Sequence, residues 1–222
     1  MIKNIRLADL QKLYLAYFGR PADPSGINYW LSSLNSLLTL KDISNELSRQ
    51  EEYFKSIPSD KSFESKINKV YLNLFNRKAD FDGLNYWLEM GENQQYNISD
   101  FVYNLLYSSD KKFPINLEQE VTDNAVLDNK LYAAEIFTNQ ISKSISLMNL
   151  YKPDSISPWD SGNILIRTAN FISNIDNNRV SLDDINQLIR SFSDSPINIL
   201  TQPAIEIEDT SLAIPIYAQE NR

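Results

Sequence analysis

The side chains able to do chemistry here are carboxylates, arginines, amides and aromatics, because the chain has no histidine and no cysteine. Without histidine it lacks the commonest general base, the usual serine triad and most transition-metal sites. Without cysteine it has no disulfides, zinc thiolates or thiol nucleophiles. Carboxylate pairs remain, and Asp183-Asp184 is the most tempting of them. Its place at an expected helix start, where negative charge is stabilising, accounts for it without catalysis. There is also no phosphate-cradling glycine loop, so a protein that is not an enzyme is expected.

Residues suited to binding are more numerous. Arg20 and Arg77 each stand three residues before an aspartate, Asp23 and Asp80. Each guanidinium can turn back to a helix C-terminus and pair with that aspartate, or point outward as a fork for a carboxylate or phosphate. Tyr29 and Tyr86 are next to Trp30 and Trp87, and neighbouring helical positions diverge by about 100°. If the tryptophans pack, the tyrosines are left for a partner or a sugar ring. Asn28 and Asn85 precede those tyrosines, and Trp159, after Pro158, is a further stacking candidate.

Calcium is the only cofactor suggested, and only in fragments. Asp80-x-Asp82-Gly83 resembles the start of a calcium loop but lacks the later ligands, including the bidentate glutamate. Asp176-Asn177-Asn178 is oxygen-rich and equally short. Capping explains Asp80 and a turn explains Asp176 to Asn178, leaving Asp80, Asp82, Asp176 and Asn178 as possible ligands.

These residues are positioned by a duplicated stretch. LYLAYFGRPADPSGINYWL, Leu13 to Leu31, recurs as VYLNLFNRKADFDGLNYWL, Val70 to Leu88, at a constant offset of 57. Leu10, Leu13, Tyr14, Tyr17 and Phe18 form one helical stripe, repeated as Ile67, Val70, Tyr71, Leu74 and Phe75. Gly19 suits a left-handed C-cap, and Asn76 replaces it in the second copy. Asp23-Pro24 reads as an N-cap and first helical residue, and Asp80 takes the same place. Gly26 and Gly83 fall where a side chain has no room against a neighbouring helix. Thr39 with Asp42 and Asn97 with Asp100 form capping boxes for third helices.

Beyond Leu117 the repeat is lost. Leu127 to Met148 predicts one long amphipathic helix closed by a Pro153–Pro158 loop, with another over Trp159 to Ile175. Ser181 and Asp184 then cap a last helix through Phe192. Pro196, Pro203 and Pro215 forbid a long helix in the tail, which reads as a linker, with an edge strand at Ile205 to Glu208 as the other possibility. The expected fold is all-α: helical repeats over 1–57 and 58–116, a third helical subdomain over 117–194 and an irregular tail over 195–222. A continuous core from Leu10 to Phe192 is expected.

Composition narrows the partners. Hydrophobic residues make up 42% of 222, enough for a packed core. The formal net charge of −8 argues against nucleic acid, whose phosphates need a basic face. No apolar run is long enough to span a membrane, and the first residues lack the features of a signal peptide. The expected location is the cytoplasm or, by a route independent of such a signal, the exterior.

The pattern Y-x-x-x-F-G-R-x-A-D-x-x-G-x-x-Y-W, Tyr14 to Trp30, resembles the domain of unknown function 4214 family. That family is found in bacterial secreted and surface proteins, including surface-layer and haemolysin-type calcium-binding proteins. Asn129-Lys130-Leu131 followed by Phe137-Thr138 fits the stretch that often comes after its repeats. Asn76 departs from the motif glycine, and no glycine- and aspartate-rich calcium array is present. A more distant similarity is to the linker domain of phycobilisomes. The resemblance implies a non-catalytic role at the cell surface, through surface polysaccharide (lipopolysaccharide) or other copies of the chain in an oligomer or lattice. It also implies type I secretion, which leaves no cleaved N-terminus. An intracellular assembly linker and an accessory domain of an enzyme are the alternatives.

Overall fold

A computed structural model describes residues 5–33, 38–57, 62–92, 96–108, 117–153 and 164–192. Among them are eleven α-helices and no strand, so the chain is all-α. α1 (Leu7–Phe18) buries the whole of its stripe, and α5 (Phe63–Phe75) buries Ile67, Val70, Tyr71 and Leu74 with Phe75 half-buried. α1 ends on Gly19 at φ 65° and α5 on Asn76 at φ 59°. Both residues are left-handed, and each sends its N–H back to the helix, to Leu15 O at 2.9 Å and Leu72 O at 3.1 Å.

The following helices, α2 (Pro24–Ser33) and α6 (Phe81–Glu92), start as their sequences predict. Asp23 Oδ1 accepts the Gly26 N–H at 2.7 Å, and Asp80 Oδ1 accepts that of Gly83 at 2.7 Å. Trp30 and Trp87 are buried and donate through Nε1 to the hydroxyls of Tyr14 and Tyr71, at 3.2 and 3.1 Å. A Cβ on Gly26 would overlap the Tyr14 hydroxyl, whereas one on Gly83 would sit 3.7 Å from that of Tyr71. Thr39–Asp42 and Asn97–Asp100 form the expected capping boxes on α3 (Leu40–Leu47) and α7 (Ile98–Tyr107).

Two parts differ from the sequence expectation. The first unit carries a fourth, short helix, α4 (Glu51–Ser56), because Gln50 breaks the chain into extended backbone. Tyr53 of α4 is then buried edge-on against Tyr17, with ring centroids 5.4 Å apart. The long amphipathic helix is interrupted: α8 (Leu117–Ser142) stops, and Ser144 caps a separate α9 (Ile145–Leu150) through the Leu147 N–H. That break returns Tyr151 to the core, 4.7 Å from the Phe137 ring. α10 (Ile164–Ser173) and α11 (Leu182–Arg190) follow, the latter with its Ser181–Asp184 box. Residues 159–163 and the tail over 195–222, with its linker and strand expectations, lie outside the described residues.

α1 and α5 pack on one another, and α8 packs on both. The Asn73 side chain donates to Ala16 O at 2.9 Å across the first pair. Gln11 Nε2 donates to Thr138 Oγ1 at 2.7 Å, and Thr138 in turn donates to Ala22 O at 2.7 Å. Lys130 Nζ donates to Asn73 O at 2.7 Å and to Asn76 Oδ1 at 2.5 Å, closing the C-terminus of α5. The three segments thereby share one apolar cluster running from Leu10 to Phe192.

Candidate functional site

The turn between α1 and α2 is built around Arg20. Its side chain is 1% exposed and lies among the rings of Tyr14, Phe18 and Tyr151, with Cζ 5.4 to 5.6 Å from each centroid. The outward fork considered for Arg20 is therefore not what forms. Nε and Nη2 donate to the two carboxylate oxygens of Glu52 at 2.5 and 2.7 Å, and Nη1 donates to Pro21 O at 2.9 Å. Asp23 adds a longer ion pair at 3.5 Å. Burial works against the charge, but Glu52, Tyr151 and Asp23 outweigh it and hold the guanidinium protonated. Tyr151 completes the turn by donating to Pro21 O at 2.7 Å.

Over this turn opens a groove of about 540 Å³, between the start of α2 and the α3–α4 segment. Ser25, Tyr29 and Trp30 form one wall, Glu46, Gln50 and Glu51 the other, and Arg20 with Glu52 lies beneath. Tyr29 is 61% exposed and meets Trp30 edge-on, with ring centroids 4.9 Å apart. Trp30 thus packs, and the tyrosine beside it is left to solvent. Asn28 is exposed on α2 but does not line the groove.

The corresponding residues of the second unit are arranged differently. Arg77 donates to both carboxylate oxygens of Asp123 on α8, at 2.9 and 2.6 Å, and is 24% exposed. Its pair with Asp80 is only 3.7 Å. The hydrogen bond to Asp123 raises its affinity for the proton against partial burial. Tyr86 keeps the edge-on contact with Trp87 but is half-buried, as is Asn85. Of the seven residues picked out for binding, Arg20 and Tyr29 meet in one groove, whereas Arg77, Asn85 and Tyr86 belong to the second unit. Trp159 lies outside the described residues.

The oxygen atoms considered for calcium have local tasks. Asp80 caps α6, and both carboxylate oxygens of Asp176 accept from Asn178, at 2.7 Å from its N–H and 3.1 Å from its amide. Asp82 is exposed beside Asp80. Among the described residues no three histidine, cysteine, aspartate or glutamate side chains converge.

Glu46, Gln50, Glu51 and Glu52 are not picked out by the sequence. Their only signal is an acidic run just before Tyr53-Phe54, which falls outside the repeated motif. Lys130 was part of the follow-on pattern, and the structure gives its task at the end of α5. Burial lowers its ammonium to about 7. The groove offers an aromatic ring, carboxylate and amide acceptors and hydroxyl and amide donors, which suits recognition of a polar ligand with an apolar face. Comparison with protein-family models, with curated proteins and with solved structures finds no match.

Proposed function

We propose that this chain is a non-catalytic interaction module of the cell surface or exterior, belonging to the domain of unknown function 4214 family. In this reading it holds surface polysaccharide in the groove between α2 and α4. The observation that carries it is Tyr29, a large ring 61% exposed over a groove with polar walls. An exposed aromatic fixed by a packed neighbour is a stacking platform that loses little entropy on binding. No described helix is long and apolar enough to cross a membrane.

The test is titration of purified surface polysaccharide against the protein, followed by tryptophan fluorescence, since Trp30 lines the groove. Saturable binding is expected, weakened about tenfold or more by Tyr29→Ala, with Tyr86→Ala close to wild type. Flat titrations across the available glycans would remove the proposal. A second reading, assembly through contacts between copies or with other proteins, is favoured by Phe81, Val121 and Ile145, which are 78%, 71% and 74% exposed. Sedimentation shows which applies: a concentration-dependent rise in mass that Phe81→Ser abolishes supports assembly, and a constant monomer mass opposes it.

A further inference from the structure

The charges around the groove define the kind of glycan it takes. We infer that it binds an uncharged saccharide and turns away phosphate- and carboxylate-bearing sugars. This rests on the reading of the groove as a polysaccharide site.

The reason lies in how the cations are used. Arg20 is the guanidinium beneath the groove, and its Nε, Nη1 and Nη2 all donate to groups within the protein. An incoming phosphate would have to displace Glu52, a bidentate partner already held in a largely buried position. Lys55 on the groove wall is 2.8 Å from Glu51, and Arg49 nearby is 3.3 Å from Glu46. These two pairs are solvent-exposed and weak individually. Each cation nevertheless brings a carboxylate with it, and Asp23 adds one more. An anion entering here meets a surplus of negative charge, which at short range repels it.

A neutral sugar meets complementary groups instead. Its hydroxyls can donate to Glu46 and Glu51, charge-assisted bonds stronger than neutral ones. Ser25 and Gln50 supply hydroxyl and amide partners, and the apolar face of a pyranose fits against Tyr29. A volume of about 540 Å³ is in the range of sites for ligands larger than one small ring. Every group needed is uncharged or anionic, and none of them requires a free cation.

The experiment titrates the intact protein with uncharged hexasaccharides (maltohexaose, mannohexaose, hexa-N-acetylchitohexaose), with an alginate hexamer and with phosphorylated lipopolysaccharide, at low and high salt. We expect at least one uncharged hexamer to bind saturably, with a Kd changing less than about twofold with salt because no ion pair is formed. Tyr29→Ala should weaken it about tenfold, and the alginate hexamer should bind at least about tenfold more weakly than the neutral one. Tyr29 is exposed, so its substitution leaves the fold intact, which circular dichroism checks. Binding of the anionic ligands in preference, lost at high salt, overturns the inference and leaves the polysaccharide reading standing. Neutral binding indifferent to Tyr29→Ala places the site elsewhere and overturns it too. Saturable binding of none of these ligands overturns both.

Discussion

Arg20 and Arg77 occupy the same place in the motif, and their surroundings give them different weights. Arg20 is fully buried with its charge matched by Glu52, so Arg20→Ala leaves a carboxylate facing apolar rings. Loss of one partner of a buried pair costs about 3–5 kcal/mol, and urea unfolding should read a fall of that order. Arg77 is partly exposed, and water can take over part of the solvation of Asp123. Arg77→Ala should cost about 1 kcal/mol, nearer the value of exposed pairs. Equal losses would mean that burial does not set the difference. Gly26 tests the same turn: Gly26→Ala drives a methyl into the Tyr14 hydroxyl and disturbs its bond from Trp30. Overpacking of this kind costs about 1–3 kcal/mol. Gly83→Ala, with more room, should cost less in the same assay, its main obstacle being Asp80 Oδ1 at 3.0 Å.

At the scale of elements, the two helix ends Gly19 and Asn76 share one backbone conformation and are not interchangeable. Asn76 tolerates the left-handed region, and its amide also donates to Ile175 O at 2.7 Å while its Oδ1 accepts from Lys130. It therefore joins α5 to α8 and to the loop after α10. Asn76→Gly relaxes the backbone but removes both links, and a net loss of about 1–3 kcal/mol is expected. The reverse change, Gly19→Asn, puts a Cβ 2.9 Å from Asn73 Oδ1, and thermal unfolding should register a lowered Tm. A variant carrying glycine at position 76 that is as stable as wild type would show the two links to be worth nothing.

For the whole molecule, burial of ionisable groups gives stability a pH dependence of definite sign. Lys130 is lowered to about 7 in the fold, against 10.5 for the ordinary lysine, and burial lowers Lys69 as well. Below about 7 both folded and unfolded chains hold the Lys130 proton, and its burial penalty is fully felt. Between about 7 and 10.5 the unfolded chain holds a proton that the folded one has shed, so stability rises with pH. Burial also raises Tyr17, Tyr107 and Tyr151 well above the usual tyrosine range. Above about pH 10 the unfolded chain loses those protons first, and stability falls. Denaturant midpoints should therefore climb from neutral pH towards 10 and then drop. Lys130→Met should flatten the climb, leaving the smaller part due to Lys69; an unchanged slope would dissociate it from Lys130.

Most of the helices and many of their ends could be read from local sequence; α4 and the break between α8 and α9 could not. Apolar periodicity, the Asp23 and Asp80 caps, the three capping boxes and the left-handed residues at 19 and 76 are all legible. Each depends on residues a few positions apart, whose geometry the local backbone already sets. The continuous core from Leu10 to Phe192 was also legible, since stripes on every helix require burial. The candidate site was legible only in part. Tyr29 could be picked out because the neighbouring tryptophan had to pack. Arg20 could not be assigned a direction, because its partner Glu52 lies 32 residues away in a helix that no repeat announces. The break before α9 was hidden for a similar reason: the gain from returning Tyr151 to Phe137 and Pro21 arises only when distant segments meet. Only the tertiary contacts show that Arg20 turns inward to Glu52 and Arg77 across to Asp123, and that the exposed Tyr29 ring stands beside the carboxylates of Glu46 and Glu51, because those partners lie far away in sequence.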